Sequence, residues 1–148
     1  MVLNHGILAA AALAGADPLH DPIPKEFHGT FAPTLEACRI EDGVETVTVA
    51  ADGVHYYEGN DYLLIGVSFS GSSTKSGGMV PLFNGRFTGR METHLLGEVN
   101  ARMEMETPDL LIRYRLKDDG EPDPKPVSTW RRCPSAAPSA RQGAERRP

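Results

Sequence analysis

Cysteine is nearly absent from this chain of 148 residues: Cys38 and Cys133 are its only two, and they form no C-x-x-C pair. That removes thioredoxin-like redox chemistry and cysteine-rich zinc sites from consideration. Long apolar runs are missing too, so no segment has the roughly 20 apolar residues that a membrane-spanning helix requires, and no stable membrane span is expected. Basic residues are outnumbered, 15 Lys and Arg against 20 Asp and Glu, for a formal charge of −5. A mildly acidic surface does not neutralise phosphates, which excludes a general nucleic-acid binder. Tryptophan occurs once, and no Walker A or EF-hand spacing is present. No cofactor is expected.

What is present begins with an export signature. Gly6 to Ala16, GILAAAALAGA, is a short apolar run ending in the A-x-A pattern Ala14-Gly15-Ala16, and residues 1–16 therefore read as a signal peptide. Its n-region, MVLNH, lacks Lys and Arg, a departure that a misplaced start codon explains. The alternative is an N-terminal helix packed on the domain, which the alanines favour. Residues 17–26, with Pro18, Pro22 and Pro24, read as an extended leader. A disulfide between Cys38 and Cys133 needs an oxidising compartment, and periplasmic or secreted localisation is expected. The bridge would close a loop of about 95 residues and contribute on the order of 4 to 5 kcal/mol by restricting the unfolded chain.

After a short apolar start at Phe27 to Phe31 the pattern from Val44 onward is strand after strand, which predicts a single all-β, antiparallel domain over residues 27–133. Asp52-Gly53 predicts a two-residue hairpin pairing Ala51 with Val54, Val49 with Tyr56 and Val47 with Glu58, with Val47, Val49, Val54 and Tyr56 on one face. Tyr62 to Ser70 alternates Leu63, Ile65, Val67 and Phe69, as the buried side, against Leu64, Gly66, Ser68 and Ser70. Gly71 to Gly78 reads as a flexible loop. Asn84-Gly85 predicts a second hairpin, joining Met79–Phe83 to Arg86–Thr93 and placing Val80, Leu82, Phe87 and Met91 together. In Glu98 to Glu106, Val99, Ala101, Met103 and Met105 share a side. Pairing with Leu110–Lys117 sets Glu104 opposite Arg113 and Met105 opposite Ile112, a charged exterior over an apolar interior. A polar, proline-rich loop from Lys117 to Pro126 precedes a last strand, Val127 to Cys133. Residues 134–148, rich in Ala, Ser, Pro and Arg, read as a disordered tail.

Catalytic patterns are weak. Ser72-Ser73-Thr74-Lys75 matches S-x-x-K and Lys75-Ser76-Gly77 matches K-[ST]-G, but the two overlap, whereas penicillin-recognising enzymes separate them on a helix and a distant strand. His28, His55 and His94 lack metal-ligand spacing and would have to converge in three dimensions to form a metal or acid–base site. No catalytic residue and no metal ligand is assigned.

Phe27-His28-Gly29-Thr30-Phe31 at the domain start and Thr129-Trp130-Arg131-Arg132-Cys133 at its end resemble small exported proteobacterial proteins and, more distantly, lipocalin-type barrels of the calycin group. Lipocalins open on G-x-W, over which a basic residue from the last strands packs. Gly29, Phe31 and either Arg131 or Arg132 hold those positions here, with Phe31 replacing tryptophan. The resemblance implies an up-and-down antiparallel β-barrel of about eight strands, either filled by side chains or holding one small ligand. The expected function is non-enzymatic binding of a small hydrophobic ligand or envelope component, with Tyr56, Tyr62 and Tyr114 as ligand-binding aromatics. The alternative is a protein-interaction module, such as an inhibitor or accessory subunit of an exported enzyme, acting through the 71–78 loop or an exposed strand edge.

Overall fold

The computed structural model describes residues 21–75, 77–92 and 94–135. The expected signal segment, the start of the leader and most of the tail lie outside the described residues. Eight strands, β1 (Gly29–Ala32), β2 (Val47–Ala50), β3 (Gly53–Tyr56), β4 (Asn60–Lys75), β5 (Gly78–Met91), β6 (His94–Thr107), β7 (Leu110–Arg115) and β8 (Ser128–Arg132), form a closed barrel. Each strand pairs antiparallel with the next, and β8 returns to β1 through Phe31 opposite Arg132 and Ala32 opposite Arg131. The expected all-β barrel is present. Its first strand is Gly29–Ala32, at the start of the domain.

Side chains fill the interior. Phe31, Phe83, Met103 and Leu111 are fully buried, with Val47, Val49, Val54, Phe87 and Trp130 around them. One end is plugged by the segment before β1, where Lys25–Phe27 forms a 3-10 turn and both Ile23 and Phe27 enter the core. The Phe27 and Phe83 ring centroids lie 6.2 Å apart. Ile23 is anchored by its amide, which donates to the Ala51 carbonyl at 3.0 Å. The other end, where β3 meets β4, β5 meets β6 and β7 meets β8, forms the mouth.

Several expected turns fall elsewhere. In β2–β3 the tight connection is Ala51-Asp52, because Ala50 pairs with Gly53 and Val47 with Tyr56. Gly53 belongs to the strand: a Cβ there would run into the Tyr62 carbonyl oxygen of β4. The offset from the expected register is two residues, so the inward set Val47, Val49, Val54 and Tyr56 is preserved.

Asn84-Gly85 is no turn at all. β5 runs straight through it, and Gly85 is required by packing, since a Cβ would sit 2.8 Å from Phe83 and 2.9 Å from Leu64. The inward residues of β5 are Phe83 and Phe87, while Leu82 lies on the opposite face and Met91 is exposed.

Residues 71–75 and Gly78 are strand rather than loop, with the β4–β5 ladder continuing to Lys75 opposite Gly78. β4 carries two extra residues relative to β5, at Ile65 and Ser68, and these bulges shift its phase. Leu64, ahead of both bulges, is buried opposite Phe87, and Val67, between them, packs against the core, whereas Leu63 and Ile65 are half-buried and Phe69 is exposed. Beyond Leu63, β3 no longer accompanies β4. The free β4–β5 arm curls over the outer face of the barrel, where the Lys75 ammonium donates to Glu104 at 2.9 Å. Under it Val80, Leu82, Glu104 and Ile112 are buried outside the main core.

A third bulge decides the chemistry of the interior. Thr107 pairs with Leu110, as a turn at Pro108-Asp109 demands, but Glu106 is extra, so Met105 pairs with Leu111, Glu104 with Ile112 and Met103 with Arg113. The one-residue shift inverts the exposed and buried faces of β7. Arg113, expected outside against Glu104, points inward, and Tyr114, expected inside, points outward.

Candidate functional site

The disulfide forms as expected, with Cys38 and Cys133 Cα atoms 5.4 Å apart. It clasps the seam between first and last strands, where the Cys133 amide also donates to the Thr30 carbonyl at 2.8 Å. Beside it Arg132 lies over the Phe31 ring at 4.7 Å and donates to the carbonyls of Glu26, His28 and Pro108. Of the two arginines singled out in the sequence, Arg132 is the one stacked on Phe31. This end is structural, because each guanidinium nitrogen donates to a carbonyl, and those of Glu26 and His28 belong to the segment that forms the plug.

The histidines do not converge on a common site. His28 contacts the Ile23 carbonyl at 2.7 Å, His55 sits between two aspartates on the outer face, and His94 is exposed on β6. Among the described residues no group of three or more His, Cys, Asp and Glu side chains could hold a metal.

The open end is built differently. Tyr56 ends β3 and Tyr62 lies on β4, with ring centroids 5.8 Å apart edge to face, and Tyr56 meets Trp130 of β8 at 6.0 Å. Against this aromatic wall Arg113 donates from Nη1 to the Tyr56 hydroxyl at 2.9 Å and from Nη2 to Ser128 Oγ at 3.2 Å. Its guanidinium lies 5.1 Å from the Trp130 ring centroid. Burial pushes the Tyr56 phenol above its ordinary pKa against the opposing pull of Arg113, so Tyr56 stays a neutral hydroxyl.

Two spaces border Arg113. Below it, among Val54, Phe87, Val99 and Met103, only about 10 Å³ remains, room for at most one water. Above it, a cleft of about 280 Å³ opens to solvent between Tyr62, Val99, Asn100, Ala101, Arg113, Arg115 and Val127, with Tyr114 at its rim. Of the three expected ligand tyrosines, Tyr62 and Tyr114 line this cleft and Tyr56 stands behind it holding Arg113. Tyr114 has its ring on the outer face, 6.0 Å from the Lys75 ammonium. Arg113 itself was missed by the sequence reading. Its signal was Pro108-Asp109, which places the turn, combined with a bulge that strand alternation does not encode. No family model, curated protein or solved structure matches this chain.

Proposed function

We propose that this chain is an exported, non-enzymatic barrel of lipocalin type that takes a small hydrophobic ligand, an envelope component included, at its mouth rather than deep in its interior. The observation that carries the reading is the open cleft of about 280 Å³ walled by Tyr62, Val99, Ala101 and Val127. Its volume lies just below the usual lower bound of small-molecule sites, about 300 Å³, and its wall combines these apolar groups with the polar Asn100, Arg113 and Arg115. Arg132 stacked over Phe31 supports the lipocalin-type reading, and the disulfide supports export. The test is native mass spectrometry and thermal shift of the disulfide-intact chain with envelope lipid extracts. A bound small-molecule mass and a raised Tm are expected; neither adduct nor shift across extracts would overturn the proposal.

A second reading rests on the far edge of β4. From Ile65 to Thr74 this strand has no strand partner on that side among the described residues, and the stretch carries no charge. Proteins usually blunt such an edge with charge or proline. An extended segment of another protein could add there through main-chain hydrogen bonds. If this edge docks a partner, Ser72→Lys would abolish its capture from periplasmic extract while leaving ligand binding at the mouth unchanged.

A further inference from the structure

The arginines of this barrel are used in contrasting ways. Arg132 spends its donors on three carbonyls, Arg102 donates to Asn84 at 2.9 Å, and Arg86 faces Glu98 at 4.0 Å. Arg113 differs. It is half-buried, makes no ion pair among the described residues, and has only two neutral oxygens as hydrogen-bond partners. A guanidinium carries five N–H donors in a rigid plane, so three are left without an acceptor among the described residues on a side chain that lines the cleft. The group is also held still, pinned through Nη1 by Tyr56 and through Nη2 by Ser128, and backed by the Trp130 ring. A fixed cation short of acceptors beside an apolar wall favours an anion brought in by a ligand.

Resting on the mouth-binding reading above, we infer that the ligand is a compact apolar monocarboxylate whose carboxylate is received by Arg113. The carboxylate matches the planar donor fork and supplies the charge that the surrounding side chains withhold. A single negative charge suits the site, because the second arginine on the same side of β7, Arg115, is exposed at the cleft, where solvent screens its charge. Size follows from the two spaces. With about 280 Å³ above Arg113 and about 10 Å³ below it, one ring or a short chain fits, and a long acyl chain has no interior to enter. Phe87, Val99 and Met103 thus act as a floor that sets ligand length.

Titration calorimetry at low salt on the disulfide-intact chain tests this with four probes: phenylbutyrate, its neutral amide, the corresponding phenylalkyl phosphate, and palmitate. Phenylbutyrate should bind at least about tenfold more tightly than the amide, the ordinary scale for a charge-assisted pair, and more tightly than palmitate or the phosphate. Arg113→Gln should weaken the acid at least about tenfold and the amide much less, closing the gap between the two, and Arg113→Lys should fall between. Arg115→Gln should cost less than Arg113→Gln. Should Arg113→Gln fail to fold, the acid-to-amide ratio of the native chain and the shift of the Arg113 Nε–H resonance on adding phenylbutyrate decide. Equal binding of acid and amide would overturn the carboxylate assignment while leaving mouth binding intact. Preference for palmitate or for the phosphate would overturn the assigned class. No binding of any probe would sink both.

Discussion

His55 shows how much one side chain on the outer face can be made to hold. Its two ring nitrogens lie 2.8 Å from carboxylate oxygens, Nδ1 from Asp61 on β4 and Nε2 from Asp52 in the β2–β3 turn. Carboxylates only accept, so both nitrogens donate and the ring is an imidazolium when both bonds are made. Partial burial opposes that charge, but the hydrogen bonds and charges of Asp52 and Asp61 outweigh it and hold the pKa above 6.5. The sign of the linkage follows: a folded-state pKa above the unfolded value stabilises fully below pH 6.5 and is lost as pH rises through the raised pKa. His55→Gln should therefore lower Tm more at about pH 5 than at about pH 9, a gap that narrows in high salt because the pair is partly exposed. An equal loss at both pH values would show that the ring acts only by packing. The consequence reaches the plug, since the same turn accepts the Ile23 amide through Ala51.

At the scale of elements, glycine and bulges govern where strands turn and which way they face. Gly85→Ala should destabilise the barrel by about 2 kcal/mol, the usual cost of overpacking, because Phe83, Leu64 and Phe87 all lie within 3.0 Å of the added carbon. Urea unfolding measures it, and a neutral result would mean that Phe83 and Leu64 move aside without strain. That glycine also explains why Asn84-Gly85 misleads: the dipeptide satisfies a type I′ turn and equally satisfies a strand whose neighbours fill the space above it. The barrel, its inward β2–β3 set and the cysteine clasp were legible because two-residue periodicity survives even-numbered errors of register. Arg113 and Tyr114 were not, because one extra residue at Glu106 exchanges faces and leaves no mark in the alternation. The β4–β5 arm was hidden for a related reason: its Gly and Ser content resembles a loop, and its tip is fixed by a distant partner. Hydrogen bonding to Glu104 raises the Lys75 pKa, so the ammonium keeps its charge at neutral pH. Lys75→Met removes the partner of a buried carboxylate, and amide hydrogen exchange from Phe69 to Lys75 should then accelerate while the barrel strands keep their protection. Unchanged exchange in the arm would mean that Val80 and Leu82 suffice to hold it.

At the scale of the whole molecule, the question is what keeps the barrel closed. The β1–β8 seam is joined by just two residue pairs, Phe31 with Arg132 and Ala32 with Arg131, whereas β4 and β5 are paired along nearly their full length. A ladder that short has little strength of its own, and the supports concentrate around it: Arg132 over Phe31, the Cys133 amide on Thr30, and the Cys38–Cys133 bridge. The bridge spans 95 positions of sequence, which in the chain-entropy treatment corresponds to about 4.7 kcal/mol, an upper figure because denatured chains keep some compactness. Replacing both cysteines by serine should therefore lower unfolding stability by several kcal/mol, on the order of 3 to 4.7, in urea. Two mechanisms would produce such a loss, and they differ in where protection falls. If the bridge acts only on the unfolded chain, protection from hydrogen exchange drops evenly across the barrel. Should it also hold the seam, β1 and β8 open first, with local exchange exceeding the global rate while β4, β5 and β6 stay protected. The two-pair ladder predicts the second pattern, and even loss across all eight strands would assign closure to Arg132 and the plug instead.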